Sequence, residues 1–524
     1  MIVGVVGAGT MGAGIAQLAA LAGARTLLHD PLDGAVERAL ERIPRDLLRG
    51  AQRGRWTPEE AAAATQLLEP AATLEDLADA DVVIEAAPER LELKRDLFGA
   101  LAGIVADDCV LATNTSSLSV TAVATGLAHP ERIVGMHFFN PPALMQLVEV
   151  VAGDASSEAA LQRVTDLGEA MGRRVIRAAD VTGFLVNRVN RPFNLEALKL
   201  VTERVAEVEV VDRVMRLGGG FRMGPFELQD LVGIDVGLEI SRSFFDQSFG
   251  EPRWRPSPLS ARMVAAGRLG RKTGRGWYAY AEGEPHRPDD PPAPVPATAG
   301  EGLVVIAGDV PLAHELRMLA DDAGWDVRVP EEVDGEVPAL IVDCGAEPDD
   351  GVLQGGPQAL LLADGSLAQL DPGGSAVGFH ALPPLDPGGL VELTRARDSS
   401  PHAADVTERF FTSLGLHVAW VGDAPGLVLG RIVCQLVNEA AFAVAEGVGS
   451  PQDVDDGMVL GLNHPRGPLE WGDLIGLEHV LAVLDALYDE RREERYRAAP
   501  LLRRLVAEGR TGSLTGEGFF RYED

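Results

Sequence analysis

One numerical offset runs through this chain and restricts its fold more than any other feature. Adding 243 to a residue number carries His137 to His380, Pro141 to Pro384 and Glu149 to Glu392. The same step carries Gly183 to Gly426, Arg188 to Arg431, Glu196-Ala197 to Glu439-Ala440 and Asp212 to Asp455. It continues from Gly224-Pro225 to Gly467-Pro468, from Asp230-Leu231 to Asp473-Leu474 and from Gly233 to Gly476. Near the ends, residues 267–278 are echoed by 509–520. A single step held over about a hundred residues marks an internal repeat, so the chain reads as a tandem duplication of one topology. The stretch 281–300 carries Pro285, Pro288, Pro291, Pro292, Pro294 and Pro296 among acidic residues. It can hold neither a helix nor a central strand and reads as the linker between the copies.

Within the first copy, apolar runs at 2–6, 26–29, 81–85, 110–113 and 133–137 alternate with stretches of helical periodicity. That alternation predicts a doubly wound α/β domain. From about Gly183 the strands stop, and four or so helical segments run to Trp277-Tyr278. The expected organisation is an α/β domain over 1–182, an all-α domain over 183–280, the linker, a second α/β domain over 301–424 and a second all-α domain over 425–524.

The balance of 46 Lys+Arg against 79 Asp+Glu argues against nucleic acid or an anionic membrane as partner, and no segment is long and apolar enough to span a bilayer. The glycine-rich run 1–24 has no basic start and does not read as a signal peptide. Cys109, Cys344 and Cys434 are scattered, so neither a disulfide framework nor a metal site is indicated, which fits a reducing cytoplasm.

The first apolar run enters Gly7-Ala8-Gly9-Thr10-Met11-Gly12, a helical stretch follows, and the next run ends at Asp30. A lone G-x-G-x-x-G is weak, but here it has its strand, its helix and its acidic residue. Gly7 would allow the tight turn, Gly9 would admit a pyrophosphate to the helix N-terminus, and Gly12 would let helix pack on strand. Asp30 would accept from ribose hydroxyls and repel a 2′-phosphate, favouring NAD over NADP.

The segment 135–150 places His137, Asn140 and Glu149 in otherwise apolar surroundings near the carboxyl end of the sheet. Polar groups there need partners to justify their desolvation. Together with Gly7–Gly12, residues 85–94, Asn114-Thr115-Ser116-Ser117 and 183–188, this order resembles the 3-hydroxyacyl-CoA dehydrogenases, in the tandem form found among bacterial enzymes. The resemblance implies a Rossmann domain, NAD as cofactor and oxidation of an (S)-3-hydroxyacyl-CoA, in fatty-acid β-oxidation or phenylacetate catabolism. It implies that His137 is the general base and Glu149 its orienting carboxylate, that Ser116 and Asn187 hold the substrate oxygen, and that Glu89, Lys94, Ser116 and Asn140 line the cofactor and substrate cleft. A neutral imidazole suits proton removal near neutral pH, and a carboxylate on its far nitrogen fixes the tautomer.

Arg38, Arg42, Arg45, Arg49 and Arg53 recur at steps that place them on one helix face, where CoA phosphates or solvent would be the partner. Pro44 is expected to interrupt that helix. If CoA binds there, Arg53 is the first choice. The second copy keeps His380 and Glu392 but has Pro383 for Asn140 and Gly430 for Asn187, and its first strand lacks the glycine fingerprint. It is expected to be a degenerate copy that binds no NAD. The resemblance implies that single-copy relatives dimerise through the helical domain, so the second helical domain is expected to serve as an internal partner; homo-oligomers are left open. Other β-hydroxyacid dehydrogenases share the glycine fingerprint but would not explain His137 with Glu149. A non-enzymatic nucleotide-binding scaffold or sensor would not explain the Ser116, His137, Glu149 and Asn187 set.

Overall fold

The computed structural model describes residues 1–297, 300, 302–333, 335–345 and 355–522. Residues 298 and 299 of the expected linker, 301, 334 and 346–354 of the second α/β domain, and 523–524 lie outside the described residues. The chain forms two compact units, Met1–Arg188 with Glu446–Leu462, and Val189–Ala445 with Asn463–Asp524.

The first unit is built on eight strands: β1 (Ile2–Val6), β2 (Arg25–His29), β3 (Leu68–Pro70), β4 (Val82–Glu85), β5 (Val110–Thr113), β6 (Ile133–Phe138), β7 (Leu147–Ala152) and β8 (Arg174–Ala179). Their order is β3-β2-β1-β4-β5-β6-β7-β8. Every pair is parallel except β6 with β7. The β-branched strands β1 and β4 are buried on both faces, as a sheet covered by helices on each side requires. The strand order reverses between β1 and β4, so a crevice opens at their carboxyl ends, where a doubly wound sheet takes its ligand. Strands β3, β7 and β8 extend the five runs legible in the sequence.

Pro44 lies inside an unbroken helix, Ala35–Gln52, contrary to the expected interruption. The apolar Val36, Ala39, Ile43 and Leu47 hold one face of that helix in the core, and this packing outweighs one missing backbone bond.

The second unit carries β9 (Leu303–Ala307), β10 (Asp326–Arg328), β11 (Leu340–Asp343), β12 (Gln358–Leu361), β13 (Val377–His380), β14 (Leu390–Arg395) and β15 (His417–Trp420), in the order β10-β9-β11-β12-β13-β14-β15. Its strand order matches that of the first sheet, with no counterpart of the edge strand β3 among the described residues, and its antiparallel pair is again the one bearing His and Glu. The helical stretch after residue 183 holds six α-helices where four or so were expected. The proline-rich segment is tied down by ion pairs: Glu227 accepts from His286 Nε2 and Arg287 Nε at 2.8 Å, and Arg216 reaches Asp290 at 3.0 Å. Burial alone would raise the Glu227 carboxyl, but Arg287, His286, the Gly224 amide and Arg216 bring it down to about 2.

Hydrogen bonds related by the 243 step recur in the two units. In the first, Ala179 N–H donates to the Val448 carbonyl and Arg188 pairs with Glu446. In the second, Gly422 N–H donates to the Val205 carbonyl and Arg431 pairs with Glu203 and Glu196. Each sheet thus has, at its last strand, a segment that the sequence assigns to the other copy.

Candidate active site

At the mouth of the crevice, Gly7 adopts φ +107°, and a Cβ there would lie 2.6 Å from the Ala86 carbonyl oxygen. A Cβ on Gly12 would lie 1.7 Å from the Gly7 carbonyl oxygen, so helix Thr10–Leu21 can approach the turn only through a glycine. A Cβ on Gly9 would meet no heavy atom within 4 Å. Gly9 and Thr10 are exposed and Met11 is half-buried, and no side chain caps the helix start. An open, uncapped helix N-terminus is a fitting seat for a pyrophosphate. Asp30 Oδ2 accepts the Ala8 N–H at 2.7 Å and Oδ1 accepts the Leu32 N–H at 2.9 Å. Each oxygen keeps lone-pair capacity for a hydroxyl, so the residue can brace the loop and receive a ribose. These features fit NAD.

Antiparallel pairing of β6 with β7 sets His137 directly opposite Glu149. His137 Nδ1 donates to Glu149 Oε2 at 2.6 Å. Glu149, fully buried, accepts the Leu185 and Val186 N–H groups on its other oxygen at 3.1 and 3.0 Å. The carboxylate is thereby fixed at both ends, the imidazole is held in the Nδ1–H tautomer, and Nε2 is left as the proton acceptor. Phe139 and Phe184 pack against the ring at centroid distances of 4.7 and 6.0 Å. Asn187 follows Val186 directly in the short helix Val186–Val189, so the bond that anchors Glu149 also places Asn187.

Ser116 is exposed just beyond β5. Glu89 Oε1 accepts the Thr115 hydroxyl at 2.6 Å, the Ser116 N–H at 3.0 Å and the Ser117 N–H at 3.1 Å. Burial raises the Glu89 carboxyl, but Lys94, the Thr115 hydroxyl and the Ser116 amide together hold it below its ordinary value. Lys94 lies beneath this surface: its side chain is 1% exposed and its Nζ bonds Glu85 at 2.7 and 2.9 Å and pairs with Glu89 at 3.2 Å. Lys94 thus stands enclosed between Glu85 and Glu89, below the loop that carries Ser116. Asn140 is exposed at the end of β6.

Sequence reasoning missed three contributors. Glu85 gathers Lys94, the Thr113 hydroxyl at 2.7 Å and the Ala87 N–H at 2.6 Å. Asn114 Oδ1 accepts the Phe138 N–H at 2.8 Å and ties β5 to β6 beside His137. Asp180 caps helix Val120–Ala124 through the Val120 and Thr121 amides, as Asp423 does for Leu367 and Ala368. The repeat signals this last pair, because 180 and 423 differ by the same 243.

Arg53 sits exposed at the end of helix Ala35–Gln52, beside a cavity of about 230 Å³ that Arg49, Arg55, Trp56 and Leu144 also line. Along the same helix, Arg45 and Arg49 pair with Glu41 and Asp46, while Arg42 donates to the Gly9 carbonyl at 3.4 Å.

In the second unit His380 faces Glu392 across β13 and β14, yet the side chains do not bond. His380 Nδ1 has no hydrogen-bond partner among the described residues, its Nε2 meets His479 Nε2 at 3.1 Å, and Glu392 spends its oxygens on the Val428 and Leu429 amides at 2.8 and 3.0 Å. Burial, then His479, pushes the His380 imidazole far down, and burial pushes Glu392 up to about 8. A Cβ on Gly430 would lie 2.3 Å from His380 Cε1, so the imidazole occupies the space that any side chain at position 430 would need. His380 and Glu392 are therefore partners in backbone register only.

No helix among the described residues is long and apolar enough to cross a membrane, and no group of three or more His, Cys, Asp or Glu residues there could hold a metal. The NAD-binding domain of 3-hydroxyacyl-CoA dehydrogenase matches residues 2–181, and the C-terminal domain of the same family matches twice, at 183–280 and 426–522. A 3-hydroxyadipyl-CoA dehydrogenase of Escherichia coli K12 is 36% identical over 507 residues, 96% of each chain. A probable 3-hydroxybutyryl-CoA dehydrogenase of Bacillus subtilis is 41% identical over 278 residues, covering 53% of this chain and 96% of its own. A crystal structure of a 3-hydroxybutyryl-CoA dehydrogenase from E. coli K12 superposes with a TM-score of 0.81 at 34% identity, covering 97% of this chain and 99% of the other. With its glycine loop, its His–Glu pair and its twice-matched helical domain, the chain belongs to the 3-hydroxyacyl-CoA dehydrogenase family.

Proposed function

We propose that this protein oxidises (S)-3-hydroxyacyl-CoA thioesters to 3-oxoacyl-CoA, and that the first copy alone carries the reaction. The 2.6 Å bond from His137 Nδ1 to a Glu149 locked by two amides is the observation that supports this most directly. His137 Nε2 takes the hydroxyl proton, and Glu149 stabilises the imidazolium that forms. Ser116 and Asn187 hydrogen-bond the oxygen as it passes from hydroxyl to carbonyl. Glu89, supported by Lys94, holds the Ser116 loop, and Asn140 lines the cleft. NAD, bound at Gly7, Gly9, Thr10, Met11, Gly12 and Asp30, supplies the hydride acceptor. Arg53 meets CoA phosphates beside the cavity at Trp56.

The second copy is a degenerate product of tandem duplication, retained as an internal partner of the first. The repeated strand order, the twice-matched helical domain and the bonds related by 243 residues support that history. The three cysteines are free and buried, which is consistent with a reducing cytoplasmic setting.

The test is NADH formation from NAD with (S)-3-hydroxybutyryl-CoA, 3-hydroxyadipyl-CoA and free 3-hydroxybutyrate. Turnover of the thioesters alone is expected, and their ratio assigns the chain to β-oxidation or to phenylacetate breakdown. NAD binding without turnover of any of the three would overturn the reading in favour of a sensor.

A further inference from the structure

The two amides that anchor Glu149 belong to Leu185 and Val186, and both residues are buried. What covers them comes from residues 446–462, the portion of the second helical domain that belongs to the first unit. Ser450 heads the helix Pro451–Leu462 by accepting the Asp453 N–H at 3.1 Å. Arg174 on β8 clamps that helix through Asp456 at 2.7 Å and Asp453 at 3.0 Å. Three glycines lie at the contact. A Cβ on Gly449 would come 2.7 Å from Leu185 Cδ2, one on Gly457 2.7 Å from Val186 Cγ2, and one on Gly461 2.7 Å from Leu147 Cδ2. The positions 243 residues earlier, which flank the degenerate copy, are Ala206, Val214 and Gly218. The side that serves the intact His–Glu pair thus carries glycine at two places where the other side carries alanine and valine.

We infer that Gly449, Gly457 and Gly461 are positioning residues for catalysis: by letting the second copy's segment seat directly on Leu185 and Val186, they hold the amide pair that fixes Glu149 and, through it, His137. This inference rests on the general-base reading of His137. A side chain at Gly449 would push Leu185 and one at Gly457 would push Val186 by several tenths of an ångström, while one at Gly461 would press on Leu147, two residues before Glu149; a packed interior transmits such displacements to the N–H groups that hold Glu149. Misplacing a base by a fraction of an ångström has a large kinetic cost because catalysis depends on near-attack geometry.

The test compares Gly457→Ala, Val186→Ala, their double variant and His137→Ala in the full-length protein. Readouts are kcat, the Kd for NAD, and the downfield proton resonance of the imidazole N–H bound to Glu149. Gly457→Ala is expected to lower kcat about tenfold and to shift or broaden that resonance, with the NAD Kd unchanged. Removing the Val186 Cγ2 that the new methyl strikes should bring the double variant back to the rate of Val186→Ala alone. An unchanged kcat and resonance in Gly457→Ala, or a double variant with no recovery, would overturn the inference while an inactive His137→Ala left the general-base reading intact. Full turnover by His137→Ala would instead remove the reading on which it rests.

Discussion

Replacing Glu149 by Gln is the sharpest test of the dyad, because the structure dictates what a neutral amide can do there. Glu149 is fully buried and receives three N–H donors: the Leu185 and Val186 amides on Oε1 and the His137 Nδ1–H on Oε2. A glutamine has one accepting oxygen and one NH2. If the NH2 faces the two backbone amides, donors oppose donors in a buried site, at a cost of about 1–3 kcal/mol for each group left unsatisfied. If the oxygen takes the backbone amides, the NH2 faces His137 Nδ1, which must then accept, and the imidazole proton moves to Nε2. That nitrogen is the one that must accept the substrate proton. The first orientation keeps the His137 Nδ1–H bond but loses the backbone anchor; the second avoids opposed donors but inverts the tautomer, and loss of the correct tautomer in a comparable buried His–carboxylate pair lowers kcat about 10⁴-fold. Such a factor corresponds to about 5.4 kcal/mol of transition-state stabilisation. The glycine loop lies elsewhere in the sheet, so the NAD Kd is expected to stay within about twofold. Steady-state kcat and fluorescence titration with NADH separate the two quantities. A Glu149→Gln variant within about tenfold of the parent rate would refute the tautomer argument.

Further outcomes follow from the same geometry. His380→Ala should leave kcat nearly unchanged while lowering the thermal midpoint, since its ring fills buried space; comparable loss of turnover from this and from His137→Ala would contradict a single working copy. Gly12→Ala, whose methyl would lie 1.7 Å from the Gly7 carbonyl oxygen, should abolish measurable NAD binding by calorimetry, and retained micromolar affinity would show that the loop can shift. Glu392 is buried and held up at about 8 against an ordinary 4.5, so the folded chain binds more protons than the unfolded one between those values. Its contribution to stability is fully present below about 4.5 and is lost as pH rises toward 8, so Glu392→Gln should flatten the decline of thermal midpoint over that range; parallel slopes would refute it. Arg53→Ala should raise KM for acyl-CoA several-fold with kcat intact, whereas an unchanged KM would move the CoA contact elsewhere.

Where the sequence was informative, the governing physics is local. Gly7 and Gly12 are legible because a tight turn and a close helix–strand approach can be met only by glycine, and His137 and Glu149 stand out because two polar residues in adjacent buried strands require each other. The resemblance implies a cleft-lining Lys94 but does not reveal its burial, which depends on Glu85 and Glu89 converging on it in the folded domain. The amides of Leu185 and Val186 leave no side-chain signature, and their cover from Gly449, Gly457 and Gly461 lies far away in sequence. The retained His380 and Glu392 do not bond, because His380 turns to His479 and packs on Gly430, two residues outside the motif. Pro44 remained helical because the apolar face of its helix was already committed to the core.

The placement of residues 446–462 against the first sheet has a consequence for synthesis on the ribosome. The sheet bearing His137 leaves the exit tunnel about 260 residues before the segment that seals Leu185 and Val186, a delay of roughly 13–50 s at ordinary elongation rates. Throughout that interval the nascent first domain carries an uncovered apolar strip beside β8 and an incompletely anchored carboxylate. A message cut short between residues 188 and 446 therefore yields a chain that has its glycine loop but lacks the segment that packs on Leu185 and Val186.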